Sequence, residues 1–315
     1  MSFGVNEVVG DYECLAIIEK PRSGVTYKVR NRRTGELESL RALPGATARD
    51  PESAERLLRE IRVHARLTHP NLIAFHDAFE LAGQVVMTTD YLEGPSLAQY
   101  CNGRPLPPDR AAAVIVPVLR GLEEAHALGI VHRGISADHV IVAPDGTVKL
   151  GGFDLAKPAT GAELTKLGAV IGDPRYISPE QVIGKAVADA RSDLYSVGVL
   201  LYFVLTGKMP FEGRTDFDIL SAQVSSQPER PTALNPAIPA ALEEVVLRAL
   251  RKNPDERFAT AGDFEQALSA ASEARPPAAA PAGARTEAPP KRRLAVPAIA
   301  GLLLVMAVAA WMVLR

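Results

Sequence analysis

The stretch HRGISADHVIVAPDGTVKLGGFD occupies residues 132–154, between two long apolar segments of helical character at 111–128 and 194–205. Short β-prone runs come earlier, within residues 14–43 and 72–91. They are rich in β-branched and apolar residues and are bounded by turn-forming residues, as strands usually are. Strands that come first and helices that come later predict an α+β fold.

Hydrophobic periodicity divides the chain further. Pro51 opens an amphipathic helix whose apolar residues recur at helical spacing as far as Ala65. From Pro108 onward the pattern is helical. The predicted strands are residues 14–19, 26–31, 36–43, 72–79 and 85–91.

Composition excludes several classes of function. The 315 residues carry a formal net charge of -2, whereas binding to nucleic acid usually needs a basic face. Cys14 and Cys101 are the two cysteines of the chain, which is too few for a disulfide framework or a cysteine-based zinc site. We therefore expect a folded protein of a reducing compartment that does not bind nucleic acid.

The C-terminal part predicts a membrane anchor. Residues 294–314 are uncharged and rich in Ala, Leu and Val, and as a helix they would be about 30 Å long, the thickness of a bilayer core. Basic residues 291–293 precede this segment and favour the cytoplasmic side. Residues 272–293 read as an Ala/Pro-rich linker. The expected location is the cell membrane, crossed once, with the main domain in the cytoplasm.

A series of short motifs lies before, within and after residues 132–154. Together they resemble the bacterial-type (Hanks-type) serine/threonine protein kinase family over residues 11–271. The resemblance implies a bilobal protein-kinase-like fold, with a small β-rich N-lobe (11–91) after a short tail (1–10) and a larger helical C-lobe (92–271). In chain order the landmarks are His69-Pro70-Asn71, Asp90-Tyr91-Leu92-Glu93-Gly94, His132-Arg133, Phe153, Tyr176-Ile177-Ser178-Pro179-Glu180-Gln181, Ser192-Asp193-Leu194-Tyr195 and Asn253-Pro254 to Arg257.

Several matched positions are structural in the family. The resemblance implies a buried ion pair between Glu180 and Arg257, and an Asp193 that holds the backbone of the catalytic loop. It also places a carboxylate of the regulatory helix at Glu60. His132 and Arg133, at the start of the catalytic loop, are likewise interpreted as structural.

The resemblance places the phosphate-binding elements at altered positions. Glu19, Pro21 and Gly24 stand at the three positions of the glycine-rich loop. A carboxylate opposes phosphate by its charge, and proline lacks a donor N–H. Arg41 stands where the family has the lysine that reaches the phosphates. Arginine keeps the charge, but its planar fork has a different geometry.

The catalytic positions are also substituted. Gly134 replaces the aspartate that accepts the substrate proton in the family, and Ser136 replaces the following lysine. His139 stands for the metal-binding asparagine, and Gly152 stands for the magnesium-binding aspartate. Asp173 replaces a threonine that contacts the catalytic aspartate and lysine.

Five further residues are candidates for binding a metal or a nucleotide. Asp138 and Asp154 are lesser candidates for relocated metal ligands, because each is offset from the usual position. The hinge places Thr89, Asp90 and Leu92 around a candidate adenine pocket. ATP binding therefore stays open, whereas magnesium is not expected, because it prefers oxygen ligands.

The concerted substitutions predict little or no phosphoryl transfer. We interpret the chain as a catalytically inactive member of the family: a membrane-tethered pseudokinase that requires no cofactor and binds another kinase or signalling protein. Two alternatives stay open. One is an atypical or weakly active serine/threonine protein kinase, and the other is a nucleotide-responsive switch without catalysis.

Overall fold

A six-stranded antiparallel sheet forms the first lobe, with strand order β1-β2-β3-β4-β6-β5. The computed structural model describes residues 3–19, 25–42, 61–82, 84–153, 157–158, 172–184 and 188–273. The strands of this sheet are β1 (Val8–Val9), β2 (Tyr12–Glu19), β3 (Val25–Asn31), β4 (Leu37–Ala42), β5 (Phe75–Leu81) and β6 (Gln84–Asp90).

Alternation of side chains explains why the sheet forms. Buried and half-buried residues alternate along β4, because successive side chains of a strand point to opposite faces. The buried face packs Leu40 and Ala42 against Tyr27, Val29 and Val86. The predicted β-rich N-lobe is confirmed.

One predicted strand was placed too early in the chain. The sequence predicts a strand at 72–79, but β5 begins at Phe75. Leu72 is fully buried and forms an isolated parallel bridge with Leu150. It packs so closely on α2 (Pro108–Ala127) that a Cβ at Gly121 would lie 2.6 Å from its Cδ2 atom. Leu72 therefore belongs to the contact between the lobes.

The second lobe is helical, as predicted. Its centre is α4 (Ala190–Thr206), most of whose residues are buried, as expected for a helix that is apolar on all sides. Gly198 allows a close approach to a neighbouring helix, since a Cβ there would lie 2.7 Å from the Cβ of Ala249. Within the described residues, the other helices of the second lobe are α1 (Leu97–Cys101), α3 (Pro179–Ile183), α5 (Asp216–Ser225), α6 (Pro231–Leu234), α7 (Ala240–Ala249) and α8 (Ala261–Glu273).

Four short strands lie beside the helices and form two pairs. They are β7 (Ile130–Val131), β8 (Val140–Val142), β9 (Val148–Leu150) and β10 (Lys157–Pro158). Strand β7 pairs with β10, and β8 pairs with β9. The residues between β7 and β8 form the catalytic loop, and β9 leads directly into Gly151-Gly152-Phe153.

An ion pair joins α3 to the C-terminal part of the second lobe. Arg257 donates through Nη1 to Oε1 of Glu180 at 2.8 Å and through Nη2 to Oε2 at 2.7 Å. The Arg257 side chain is fully buried. Burial by itself raises the pKa of Glu180, but the hydrogen bonds and charge of Arg257 lower it below its ordinary value.

Some predictions concern residues outside the described ranges. These are Pro21, Gly24, Glu60, Asp154, most of the linker and the segment 294–314. Within the described ranges, the structure contains no helix that is both long enough and apolar enough to span a membrane.

Candidate active site

Asp193 holds the backbone of the catalytic loop. One carboxylate oxygen, Oδ2, accepts the N–H of His132 at 2.8 Å, and Oδ1 accepts the N–H of Arg133 at 2.8 Å. Oδ2 also lies 2.8 Å from Nε2 of His126. Burial raises the pKa of Asp193, but the hydrogen bond from His126 contributes most to lowering it below its ordinary value. The carboxylate is therefore charged, and it keeps Arg133 in the left-handed region at φ 64°.

His132 ties this loop to the segment after β9. Its Nδ1 accepts the N–H of Gly134 at 3.2 Å, so the ring proton lies on Nε2, 2.8 Å from the carbonyl oxygen of Gly151. The N–H of Gly151 in turn donates to the carbonyl of His139 at 2.9 Å. Phe153 packs on the His132 ring, with 4.4 Å between the ring centroids. The loop and the Gly-Phe segment are therefore bound together.

The ring of His139 occupies the space beside Gly152. Its Nδ1 lies 2.6 Å from the carbonyl oxygen of Gly134, to which it must donate, and 3.3 Å from Oγ of Ser136. Gly152 has φ 78°, and a Cβ there would lie 2.5 Å from Cγ of His139. A side chain at 152 and this imidazole therefore exclude each other.

This geometry predicts coupling between the two positions. We expect Gly152→Ala to destabilise the protein by about 1–3 kcal/mol, because it overpacks the site. We expect His139→Ala to relieve the overpacking part of that cost in the double variant, whereas the strain of alanine at a φ of 78° stays in both backgrounds. Chemical denaturation of the four proteins measures the coupling free energy. Gly151→Ala is the matched control, because its Cβ would meet Cγ1 of Ile73 at 3.2 Å and the carbonyl oxygen of His139 at 3.9 Å but not the ring of His139. Additive effects at 139 and 152 would contradict this account.

The hinge aspartate is engaged in a network of charged groups. Asp90 accepts from Nζ of Lys149 at 2.5 Å and lies 2.8 Å from Nε2 of His76. It also accepts the N–H of Ala74 at 3.3 Å. Burial raises the pKa of Asp90, but the hydrogen bonds from Lys149 and His76 lower it below its ordinary value. Its carboxylate therefore braces the hinge, and Thr89 beside it is nearly buried.

The other candidates of the first lobe are spread along the sheet. Arg41 lies on β4, between Thr26 of β3 and Met87 of β6. Glu19 ends β2, opposite Thr26. Leu92 follows β6. Since Glu60 lies outside the described residues, the structure does not test an ion pair between it and Arg41.

Two further carboxylates belong to this region: Asp138 lies in the catalytic loop, and Asp173 lines a small cleft beside it. Asp138 is exposed, with Oδ1 at 3.5 Å from Oγ of Ser96. Asp173 binds the side chain of Arg175, whose Nε lies 2.9 Å from Oδ1 and 3.0 Å from Oδ2. The hydrogen bond with Asp173 raises the pKa of Arg175 above its ordinary value, and Asp138 adds to this more weakly. Residues 172–177 therefore bring a carboxylate to the catalytic loop, at a position where the resemblance implied only a replaced threonine.

The described residues do not fit magnesium at the family position. Gly152 has no side chain, and Nδ1 of His139 is committed to the carbonyl of Gly134. Magnesium prefers carboxylate and water oxygens. Among the described residues, no group of three or more His, Cys, Asp or Glu side chains could hold a metal ion.

Comparison with known proteins identifies the class. Residues 12–270 match the protein kinase domain family, and the chain therefore belongs to it. The chain is 37% identical over 269 residues to the serine/threonine-protein kinase PksC of Streptomyces coelicolor. The aligned part covers 79% of this chain and 47% of that kinase. It is 30% identical over 263 residues to the serine/threonine-protein kinase PknE of Mycobacterium tuberculosis. That alignment covers 83% of this chain and 46% of PknE. The chain thus spans about half the length of the curated relatives it matches.

The fold agrees with solved structures. The PknI kinase domain of Mycobacterium tuberculosis superposes with a TM-score of 0.65 at 26% identity, covering 86% of this chain and 99% of that one. The bilobal protein-kinase fold is therefore confirmed. The family assignment to bacterial serine/threonine kinases is confirmed as well.

One prediction is wrong. The sequence analysis interpreted the chain as a non-enzyme, but relatives 30–37% identical over most of its length are named serine/threonine-protein kinases and point to an enzyme. The physical weakness of the prediction is that it considered a proton-accepting carboxylate only at the position where the family usually has one. A carboxylate that is lost at one position of a cleft can be supplied from another.

Proposed function

We propose that the chain is an atypical serine/threonine protein kinase, which transfers the γ-phosphoryl group of ATP to protein hydroxyl groups. The observation that carries the proposal is the catalytic loop, whose backbone is held by two hydrogen bonds to Asp193 although position 134 has no side chain. The relatives named as serine/threonine-protein kinases support it. Because several usual groups are absent, we expect turnover below the roughly 1–100 per second of typical kinases.

ATP enters this proposal as the phosphoryl donor. Its adenine would lie against the hinge, near Thr89 and Leu92. Asp90 would stabilise that segment through its hydrogen bond with Lys149. Arg41, which stands where the family has its phosphate-binding lysine, would supply a positive charge to its phosphates. No step is assigned to magnesium, because the described residues do not fit it.

The acceptor is proposed to be a protein, either another kinase or a signalling protein. Residues 294–314 would anchor the chain to the cell membrane and keep the catalytic domain on the cytoplasmic side. This part of the proposal rests on the uncharged sequence of that segment and on the basic residues before it.

The test uses the full chain and γ-labelled ATP, with a mixed protein acceptor such as casein. Parallel reactions contain Mg²⁺, Mn²⁺ or EDTA. We expect label on serine and threonine after acid hydrolysis. No label in any reaction would contradict the proposed function.

A further inference from the structure

A small cleft lies between the catalytic loop and residues 172–177. Its lining includes Gly134, Asp173, Tyr176 and Ser196. Its volume is about 10 Å³, which is room for about one water-sized oxygen atom. Gly134 contributes no side chain to the cleft. Among the described residues that line it, Asp173 is the one with a carboxylate.

The carboxylate of Asp173 has a defined orientation. Oδ1 accepts the backbone N–H of Arg175 at 3.0 Å and its Nε at 2.9 Å. Oδ2 accepts from Nε at 3.0 Å and from Nη2. The carbonyl oxygen of Asp173 accepts the N–H of Tyr176 at 3.0 Å. Since the side chain keeps 24% exposure, the carboxylate is both oriented and accessible.

The remaining bonding capacity of Asp173 matches a hydroxyl group. An ionised carboxylate can accept about four hydrogen bonds. Arg175 supplies three N–H groups, namely its backbone N–H, Nε and Nη2, and the single Nε hydrogen is shared between Oδ1 and Oδ2. One acceptor position is therefore left. A hydroxyl oxygen is also about the size of the water molecule that the cleft can hold.

We propose that Asp173 is the catalytic carboxylate of this chain and accepts the proton of a serine or threonine hydroxyl that enters the cleft beside Gly134. The proposal rests on the proposed function. The hydroxyl oxygen forms a bond to the γ-phosphorus of ATP. The bond from that phosphorus to the bridging oxygen breaks, and its electron pair leaves on ADP. The hydroxyl proton moves to Asp173 and then to water.

The experiment compares transfer kinetics of the full-length wild type with those of Asp173→Asn, Asp173→Thr and the double variant Asp173→Asn/Gly134→Asp. Loss of a general base typically lowers a rate by about 10²–10⁴-fold, so we expect kcat of both single variants to fall about 10²-fold. We expect KM for ATP to stay within about twofold, because the carboxylate acts in the transition state. We expect kcat of the double variant to be at least about tenfold higher than kcat of Asp173→Asn.

Asp145→Asn is the matched control. Its carboxylate caps Thr147 in an exposed turn between β8 and β9, and asparagine can accept the same hydrogen bond. We expect its kinetics to equal those of the wild type. Asparagine at 173 keeps the acceptor for the backbone of Arg175, and Asp173→Thr introduces the family residue, so one of these variants is expected to keep the wild-type melting temperature.

The outcomes separate the two proposals. A wild type without activity would overturn the proposed function and this inference together. An active wild type with equally active variants at 173 would overturn the inference alone. If kcat falls but Gly134→Asp restores nothing, Asp173 has a structural role and the inference is wrong. A fall in kcat that Gly134→Asp reverses supports the inference when Gly134→Asp alone raises the wild-type kcat by less than about twofold, because a second base adds little where Asp173 already acts as one. An equal gain from Gly134→Asp in both backgrounds would overturn the inference.

Discussion

Asp193→Ala lowers the free energy of unfolding by at least about 3 kcal/mol, since each buried donor left without an acceptor costs about 1–3 kcal/mol. Three donors lose their acceptor, namely the N–H groups of His132 and Arg133 and Nε2 of His126. Arg133 is also released from its left-handed backbone conformation. The loop then loses its geometry, and a misplacement of about 1 Å can cost about 10²-fold in rate.

Two measurements check this expectation. Urea denaturation gives the loss of stability, and phosphoryl transfer by protein that is still folded gives the loss of rate. Asp189→Ala is the control, because this exposed aspartate caps the same helix, α4, by accepting from the backbone of Arg191. Loss of such a cap costs about 0.5–2 kcal/mol, and it should leave transfer nearly unchanged. Equal effects of the two substitutions would show that Asp193 does no more than cap a helix.

Arg257→Ala destabilises the protein by about 3–5 kcal/mol, because it leaves the carboxylate of Glu180 buried without its partner. Glu180 keeps one hydrogen bond, from Oγ of Ser192 at 2.7 Å. The carbonyl oxygens of Arg251 and Lys252 also lose the donors that Arg257 gives them. Arg120→Ala is the control, since Arg120 pairs with Glu265 at the surface and such pairs contribute about 0–1 kcal/mol.

The effect of Arg257→Ala should depend on pH. The pKa of Glu180 is lowered in the folded state, so the ion pair stabilises the protein above the ordinary glutamate pKa of about 4.3, and this contribution is lost as the pH falls through the folded value. The difference in the free energy of unfolding between wild type and Arg257→Ala is therefore expected to be largest near pH 7 and smaller below about pH 4. A difference that grows on acidification would show that Glu180 does not carry the charge of this pair.

The fold could be predicted from local pattern because its elements are local. Alternation along β4 and the apolar character of α4 are properties of neighbouring residues. The start of β5 was missed for the opposite reason. Leu72 looks like a strand residue, but its place is decided by Leu150 and by the packing against α2, which are distant in sequence.

The site was predicted less completely than the fold. Resemblance located Gly134, His139 and Gly152, yet it did not show that the ring at 139 fills the space that a side chain at 152 would need. The hinge network was missed as well, because Lys149 and Asp90 are 59 residues apart and neither has an unusual local sequence. Asp173 was noted only as a replaced threonine, since a sequence does not show which side chains share a cleft.

The central claim is that this chain transfers phosphoryl groups although position 134 carries no carboxylate. The most direct measurement is the single-turnover rate of γ-phosphoryl transfer from ATP to a protein acceptor, for the full-length wild type beside Gly134→Asp and a reaction without protein. The account predicts a wild-type rate above the protein-free background and a rate for Gly134→Asp at least as high. A wild-type rate equal to the background, whatever the variant does, would contradict it.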